Sequence, residues 1–340
     1  MEDSQMNEDI ALETPASDVF IPPSVNQKAL LSGDSYTHFS QIPPGLLPLT
    51  SQDGPVSEGL ACCLGVDEAG RGPVLGPMVY GIFFLPLELS DSLLRTEHHF
   101  DDSKVLTPAV RSSLMETLCT TDTSLFNSCG WAVSALSARD IGANMMRPAA
   151  YNLNAQAMDT TIELIKGVFA RGVNVREIYV DTIGSPIVYQ KKLERVFPAI
   201  KITVAKKADS LYPCVSAASV CAKVTRDAAL EVLYAARAGE GDGATEEDGW
   251  GSGYPSDARC VTWLKRNMHP VFGWGPECRF SWGTAKDMMD SKGGVKVEWP
   301  VDEDADTSKL TDFFSAGNDQ EKDADGLGSW FGTPVGLEAF

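Results

Sequence analysis

Between residues 61 and 289 the chain alternates strand-like and helix-like stretches. Residues 61–66 form a short apolar run that ends at two acids, and residues 77–85 form a second run rich in aromatic and β-branched side chains. Residues 131–136, 177–181 and 200–205 read as three more strands. Thr107-Pro108 has the form of an N-cap followed by proline at the first helical position, so a helix is predicted to about residue 119. Further helices are expected over 148–170, stopped by Gly172, then from Ser185-Pro186, over 213–236, over 255–268 and over 282–289. This alternation predicts an α/β domain: a mixed sheet with helices on both faces and a helical C-terminal part.

The two ends break the pattern. Residues 1–59 are rich in Ser, Pro, Asp and Glu, with prolines paired at Pro22-Pro23 and Pro43-Pro44. Such a composition buries too little apolar surface to offset chain entropy, so a disordered acidic leader is expected there. Residues 291–340 are acidic and aperiodic and predict a mostly disordered tail, leaving 60–290 as the folded domain.

Charge follows the same division. Of the net −19, residues 1–60 carry −8 and residues 291–340 carry −7. Without the acidic stretch 238–249, the remainder is close to neutral. The overall charge therefore does not exclude a nucleic-acid partner for the central domain. Eight cysteines show no CxxC pair, and most lie in apolar runs, which predicts buried free thiols. The N-terminus has no signal-peptide core and no 18-residue apolar span occurs, so a soluble intracellular protein is expected, without a membrane.

The chemistry lies in carboxylates. Asp67 and Glu68 end the first apolar run, Asp181 ends the run 177–181, and Asp209 follows the run 200–205. Acids at the C-terminal ends of strands face the crevice where α/β sheets bind ligands. Hard divalent cations want such oxygen donors, and two ions about 4 Å apart can clamp an in-line phosphoryl displacement. Acids at strand ends are also commonly plain solvated loop residues. Neighbours on a strand point to opposite faces, so Asp67 and Glu68 share a site only if the strand bends or ends between them. Gly70-Arg71-Gly72 fits two readings, a tight turn or a loop whose backbone closely approaches a ligand. It lacks the GK[ST] of a P-loop. None of His38, His98, His99 and His269 sits in a nucleophile elbow, so histidine-based catalysis is not expected.

Asp67-Glu68-Ala69-Gly70-Arg71-Gly72-Pro73, Asp102-Ser103-Lys104, Tyr179-Val180-Asp181, Ala208-Asp209 with Tyr212-Pro213, residues 215–227, Gly251-Ser252-Gly253-Tyr254-Pro255-Ser256-Asp257 and Arg279-Phe280-Ser281-Trp282 together resemble type 2 ribonuclease H, in the wording of its eukaryotic catalytic subunit. The motifs occur in the family's order over about residues 61–290.

The resemblance implies a ribonuclease H-like fold and a nuclear endonuclease. It would cut the RNA strand of RNA–DNA hybrids, and the 5′ side of single ribonucleotides in duplex DNA, leaving 3′-hydroxyl and 5′-phosphate ends. It further implies roles in ribonucleotide excision and RNA primer removal. Asp67, Glu68, Asp181 and Asp209 would be the catalytic acids holding two Mg²⁺ or Mn²⁺ ions. Gly70, Arg71 and Gly72 would contact the ribose 2′-hydroxyl and its phosphates, and Tyr254 would stack on the following sugar. Lys104 and Arg226 would hold phosphates, with Arg226 also readable as a solvated helix residue. Two auxiliary subunits would complete a heterotrimer. Rival readings are another two-metal nuclease or a catalytically silent scaffold. The first lacks the Gly-Arg-Gly loop and the Gly-Ser-Gly-Tyr-Pro motif, and the second would have lost an acid.

In the acidic tail, the stretch 307–314 resembles the short peptide that binds replication sliding clamps. Leu310, Phe313 and Phe314 fill its three apolar positions, and Thr307 replaces its glutamine. One helical turn puts the three on one face, suited to a hydrophobic groove. Docking on the chain's own body or on one of the auxiliary subunits fits the same residues.

Overall fold

The computed structural model describes residues 20–48, 58–100, 106–149, 151–182, 184–238, 249–291 and 294–295. The apolar runs form six strands: β1 (Tyr36–Phe39), β2 (Cys62–Ala69), β3 (Met78–Pro86), β4 (Gly130–Leu136), β5 (Val175–Asp181) and β6 (Lys201–Ala205). They lie in one sheet in the order β1-β4-β3-β2-β5-β6. The β2–β5 and β5–β6 pairs are parallel, and the β1–β4, β4–β3 and β3–β2 pairs are antiparallel. Helices α1 (Gln27–Leu31), α2 (Pro108–Cys119), α3 (Ser124–Ser128), α4 (Ala138–Met145), α5 (Leu153–Ala170) and α6 (Pro186–Val196) come before or between strands. After β6 come α7 (Ala208–Leu211), α8 (Pro213–Ala238), α9 (Ala258–Arg266) and α10 (Gly283–Ser291). The mixed sheet with flanking helices is the expected fold class.

β2 and β3 read as nearly continuous apolar runs because helices cover both faces of the sheet. Successive side chains alternate between those faces. Cys63, Ala69, Val79 and Phe83 join Ala217, Ala218 and Cys221 of α8 in one core cluster. Leu64, Val66, Tyr80 and Ile82 join Leu164, Ile165 and Val168 of α5 in another. Gly65 lets α8 come close, since a Cβ there would fall inside the backbone of Cys214. A third cluster ties Val74 and Leu75 to Leu230 and Leu233 of α8, to Leu264 of α9 and to Ala285 of α10. This is the helical C-terminal part that the pattern predicts.

The leader expectation fails for residues 20–48. β1 pairs with β4 in the register Tyr36↔Ala135 to Phe39↔Ala132 and forms one edge of the sheet. Leu30 and Leu46 are buried, and the Ser24 and Thr225 hydroxyls share a buried hydrogen bond of 2.8 Å. A few well-spaced apolar anchors docking on an existing core hold this segment, which mean composition does not register. Residues 1–19 and 49–57 lie outside the described residues.

Two boundaries also move. β2 continues through Asp67 and Glu68 to Ala69, because β3 pairs with it to that point (Ala69↔Val79). The helix expected from 148 begins at Leu153, where the Asn152 side chain caps the N–H groups of Asn154 and Ala155. The chain divides into two units after Gly294, and every element named here belongs to the first. Residues 296–340 lie outside the described residues, as do most of 238–249. All eight cysteines are free thiols, and seven are buried. Among the described residues no helix is long and apolar enough to cross a membrane.

Candidate active site

The parallel strands β2 and β5 end side by side. Their pairing runs to Val66↔Val180, so the next residues, Asp67 and Asp181, emerge together at the C-terminal edge of the sheet. Asp67 lies on the α8 face, where the Ser219 side chain hydrogen-bonds it, and its Oδ1 accepts from the Glu68 N–H at 2.7 Å. Glu68 lies on the opposite face and forms an ion pair with Arg71 at 3.4 Å. β2 does not end between the two acids. The two acids leave the strand tip on opposite faces, and the charge of Asp181 bears on both.

The fourth acid arrives through a turn. Lys207 adopts φ +57° after β6 and reverses the chain into α7. The Ala208 N–H then donates to Asp181 Oδ1 at 2.7 Å, which ties the first turn of α7, where Asp209 lies buried, to the end of β5.

The electrostatics record this crowding. Burial pushes the Asp67 carboxyl up to about 7, with Asp181 and Glu68 raising it further and the Ser219 hydrogen bond lowering it. Burial also raises Glu68, opposed by the Arg71 guanidinium and reinforced by Asp181. Among the described residues, no three Asp, Glu, His or Cys side chains are grouped as a metal-binding cluster. Each of three acids is drawn to a local donor instead: Glu68 to Arg71, Asp67 to its own strand and α8, Asp181 to the α7 backbone. The donor set nevertheless suits a hard divalent cation. It is all carboxylate oxygen, and its mutual repulsion is of the kind a cation relieves.

The other sequence-predicted residues that the structure describes lie on and around the loop after Glu68. Gly70, at φ +77°, starts a loop that turns back along β2. A Cβ on Gly72 would stand 3.1 Å from the Tyr254 ring, so the Gly-Arg-Gly loop and the Gly-Ser-Gly-Tyr-Pro loop touch. Tyr254 is 38% exposed. Arg71 is tethered by Glu68 and by Asn154 in the first turn of α5. Arg226 is not a solvated helix residue. It is only 5% exposed, donates to the Ser252 carbonyl and to Asp227 Oδ1 (3.0 Å), and lies 5.7 Å from the centre of the Tyr254 ring. It braces the tyrosine loop. Lys104 lies outside the described residues.

The family model of Ribonuclease HII matches residues 64–285, which span all four acids and both loops. The chain belongs to the ribonuclease HII family. It is a ribonuclease H hydrolase. It is 64% identical over 325 residues to a ribonuclease H2 subunit of Neurospora crassa, covering 94% of this chain and 97% of that one. It is 44% identical over 238 residues to the corresponding ribonuclease H2 subunit of Homo sapiens, covering 70% and 76%. The crystal structure of the ribonuclease H2 from Pyrococcus horikoshii OT3 superposes with a TM-score of 0.52 at 28% identity, over 68% of this chain and 98% of that one.

Sequence reasoning missed the residues that hold the site of this ribonuclease HII chain in shape. Ser219 and Asn154 contact Asp67 and Arg71 from separate helices. Arg279 is fully buried and donates to the carbonyls of Gly70 (2.7 Å), Arg71 (3.1 Å) and Gly76 (3.0 Å). A charged residue inside an aromatic stretch, Trp274 to Trp282, was the available signal, because a buried arginine must find several acceptors.

Proposed function

We propose that this chain is the catalytic subunit of an endonuclease that cuts the RNA strand of RNA–DNA hybrids and the 5′ side of single ribonucleotides in duplex DNA. The observation that carries this reading is the meeting of the Asp67–Asp181 edge with the Gly70–Gly72 loop and Tyr254. Carboxylates for phosphodiester hydrolysis thereby stand next to a loop and a ring suited to a sugar.

Asp67, Glu68, Asp181 and Asp209 would hold two Mg²⁺ or Mn²⁺ ions, which would supply activation of a water and neutralise charge at the scissile phosphate. The products of the reaction in this reading carry 3′-hydroxyl and 5′-phosphate ends. The protein's own part is orientation. Ser219 and the Glu68 N–H fix the Asp67 carboxylate, and the Ala208 N–H fixes that of Asp181. The loop meets the ribose, whose 2′-hydroxyl alone distinguishes RNA from DNA at a given position. Arg71, held by Glu68 and Asn154, meets the adjoining phosphate in this reading. Tyr254 stacks on the following sugar. Lys104 adds a phosphate contact, and Arg226 acts through the tyrosine loop.

The relatives are each named as one subunit of ribonuclease H2, which supports membership of a multi-subunit assembly. In this reading two smaller subunits complete it, and its role is nuclear, in ribonucleotide excision and primer removal. Leu310, Phe313 and Phe314 lie outside the described residues, and their likeness to a sliding-clamp peptide supports a contact there on sequence alone.

The test is cleavage of an RNA–DNA hybrid in Mg²⁺ by the wild type and by Asp181→Asn, with folding followed by circular dichroism. The proposal expects a loss of several orders of magnitude with the fold retained. Near wild-type cleavage by the variant would remove Asp181 from the chemistry.

A further inference from the structure

Resting on that reading, the geometry points to Trp282 and Arg279 as positioning residues that set the ribose-reading loop by capturing its carbonyl groups. Trp282 Nε1–H donates to the Gly72 carbonyl at 3.1 Å. Arg279 Nη1 donates to the Arg71 carbonyl at 3.1 Å, and Nη2 to the Gly70 carbonyl at 2.7 Å. All three carbonyls of Gly70-Arg71-Gly72 are therefore bonded to two side chains of one short stretch. Those two side chains are also coupled, with the guanidinium carbon 4.8 Å from the centre of the Trp282 ring.

The consequence follows from peptide geometry. A trans peptide unit points its C=O and the following N–H in opposite directions. Carbonyls of Gly70 and Arg71 held toward Arg279 turn the N–H groups of Arg71 and Gly72 the other way. The Gly72 carbonyl precedes Pro73, which has no N–H, so the Trp282 bond fixes the end of the loop instead. The other side of the loop is braced as well. The N–H groups of Val74 and Leu75 donate to the Gly253 carbonyl at 2.9 and 3.3 Å, which ties the loop to the stretch carrying Tyr254. Gly76 sits at φ +84° and its carbonyl accepts from Arg279 Nε at 3.1 Å. The loop is thus held at each end and along its carbonyl edge, leaving its N–H edge preset for a substrate oxygen. Presetting of this kind matters most where discrimination depends on a single hydroxyl.

Arg279 is fully buried, and replacing it leaves several acceptors without donors. Trp282→Phe is the cleaner probe, because it keeps a ring beside the guanidinium and deletes one N–H. The measurement uses full-length protein and a duplex with one ribonucleotide as substrate. The same duplex in all-DNA form serves as a competitive inhibitor. The ratio of KM to Ki reports ribose discrimination and is independent of the folded fraction, which scales the rate alone. For Trp282→Phe the ratio should rise about fivefold to tenfold, the effect of one hydrogen bond, with the melting temperature nearly unchanged. Arg279→Lys should raise it further if it folds. An unchanged ratio in Trp282→Phe, with or without loss of rate, overturns the inference, as does a wild type that shows no discrimination. Failure of the functional reading is distinguishable, since the wild type would then leave the ribonucleotide duplex uncut.

Discussion

Replacing Asp67 by asparagine should stabilise the protein, and the gain should grow with pH. Burial and two neighbouring acids hold this carboxyl at about 7, against 3.8 for the group in an unfolded chain. A raised acid binds more protons folded than unfolded, so stability falls as pH rises from the unfolded value toward the folded one. Roughly three pKa units at about 1.4 kcal/mol each set an upper limit near 4 kcal/mol for the penalty above pH 7. Between pH 5 and pH 8 it grows by about 2 to 3 kcal/mol. Asparagine carries no charge at either pH, keeps an oxygen for the Glu68 N–H and can still pair with Ser219. Urea unfolding of both proteins in chelator at the two pH values measures the difference directly. The variant should be the more stable at pH 8 by a margin that shrinks toward pH 5. An equal margin at both values, or a more stable wild type at pH 8, would refute the argument that burial and crowding strain this carboxylate.

Added Mg²⁺ or Mn²⁺ should raise the wild-type melting temperature at pH 8 and raise that of Asp67→Asn much less, read by differential scanning fluorimetry. Tyr254→Ala should lose more activity on a single embedded ribonucleotide than on a continuous hybrid, and equal losses would confine the tyrosine to a structural part. Leu46→Ala, in the segment that composition alone reads as leader, should cost about 2 to 5 kcal/mol as a buried large-to-small change, checked by urea unfolding. Gly65→Ala should be destabilising or fail to fold, because its methyl group would fall within the α8 backbone.

The strands and the acids are legible in the sequence because their signals are local. Runs buried on both faces read as β2 and β3, and acids at or shortly after strand ends mark Asp181 and Asp209. What escapes depends on partners far along the chain. β1 pairs across about 95 residues with β4, and Arg279 reaches back more than 200 positions to the Gly70 carbonyl. Arg226 also reads as a solvated helix residue, yet it is buried and donates to a carbonyl of the tyrosine loop 26 positions on. Asp67 and Glu68 are expected to require a break in the strand. The sheet instead ends on one side only: β5 stops pairing at Val66 while β3 continues to Ala69, so both acids can serve one edge.

The most direct test of the account is the cut itself. A DNA duplex with one internal ribonucleotide, labelled at either end, is incubated with the protein and Mg²⁺, and the products are sized and tested for end chemistry. The account predicts a single cut on the 5′ side of the ribonucleotide, leaving 3′-hydroxyl and 5′-phosphate ends, and none in the all-DNA duplex. A cut elsewhere, a cyclic or 3′-phosphate end, or equal cleavage of the all-DNA duplex would contradict it.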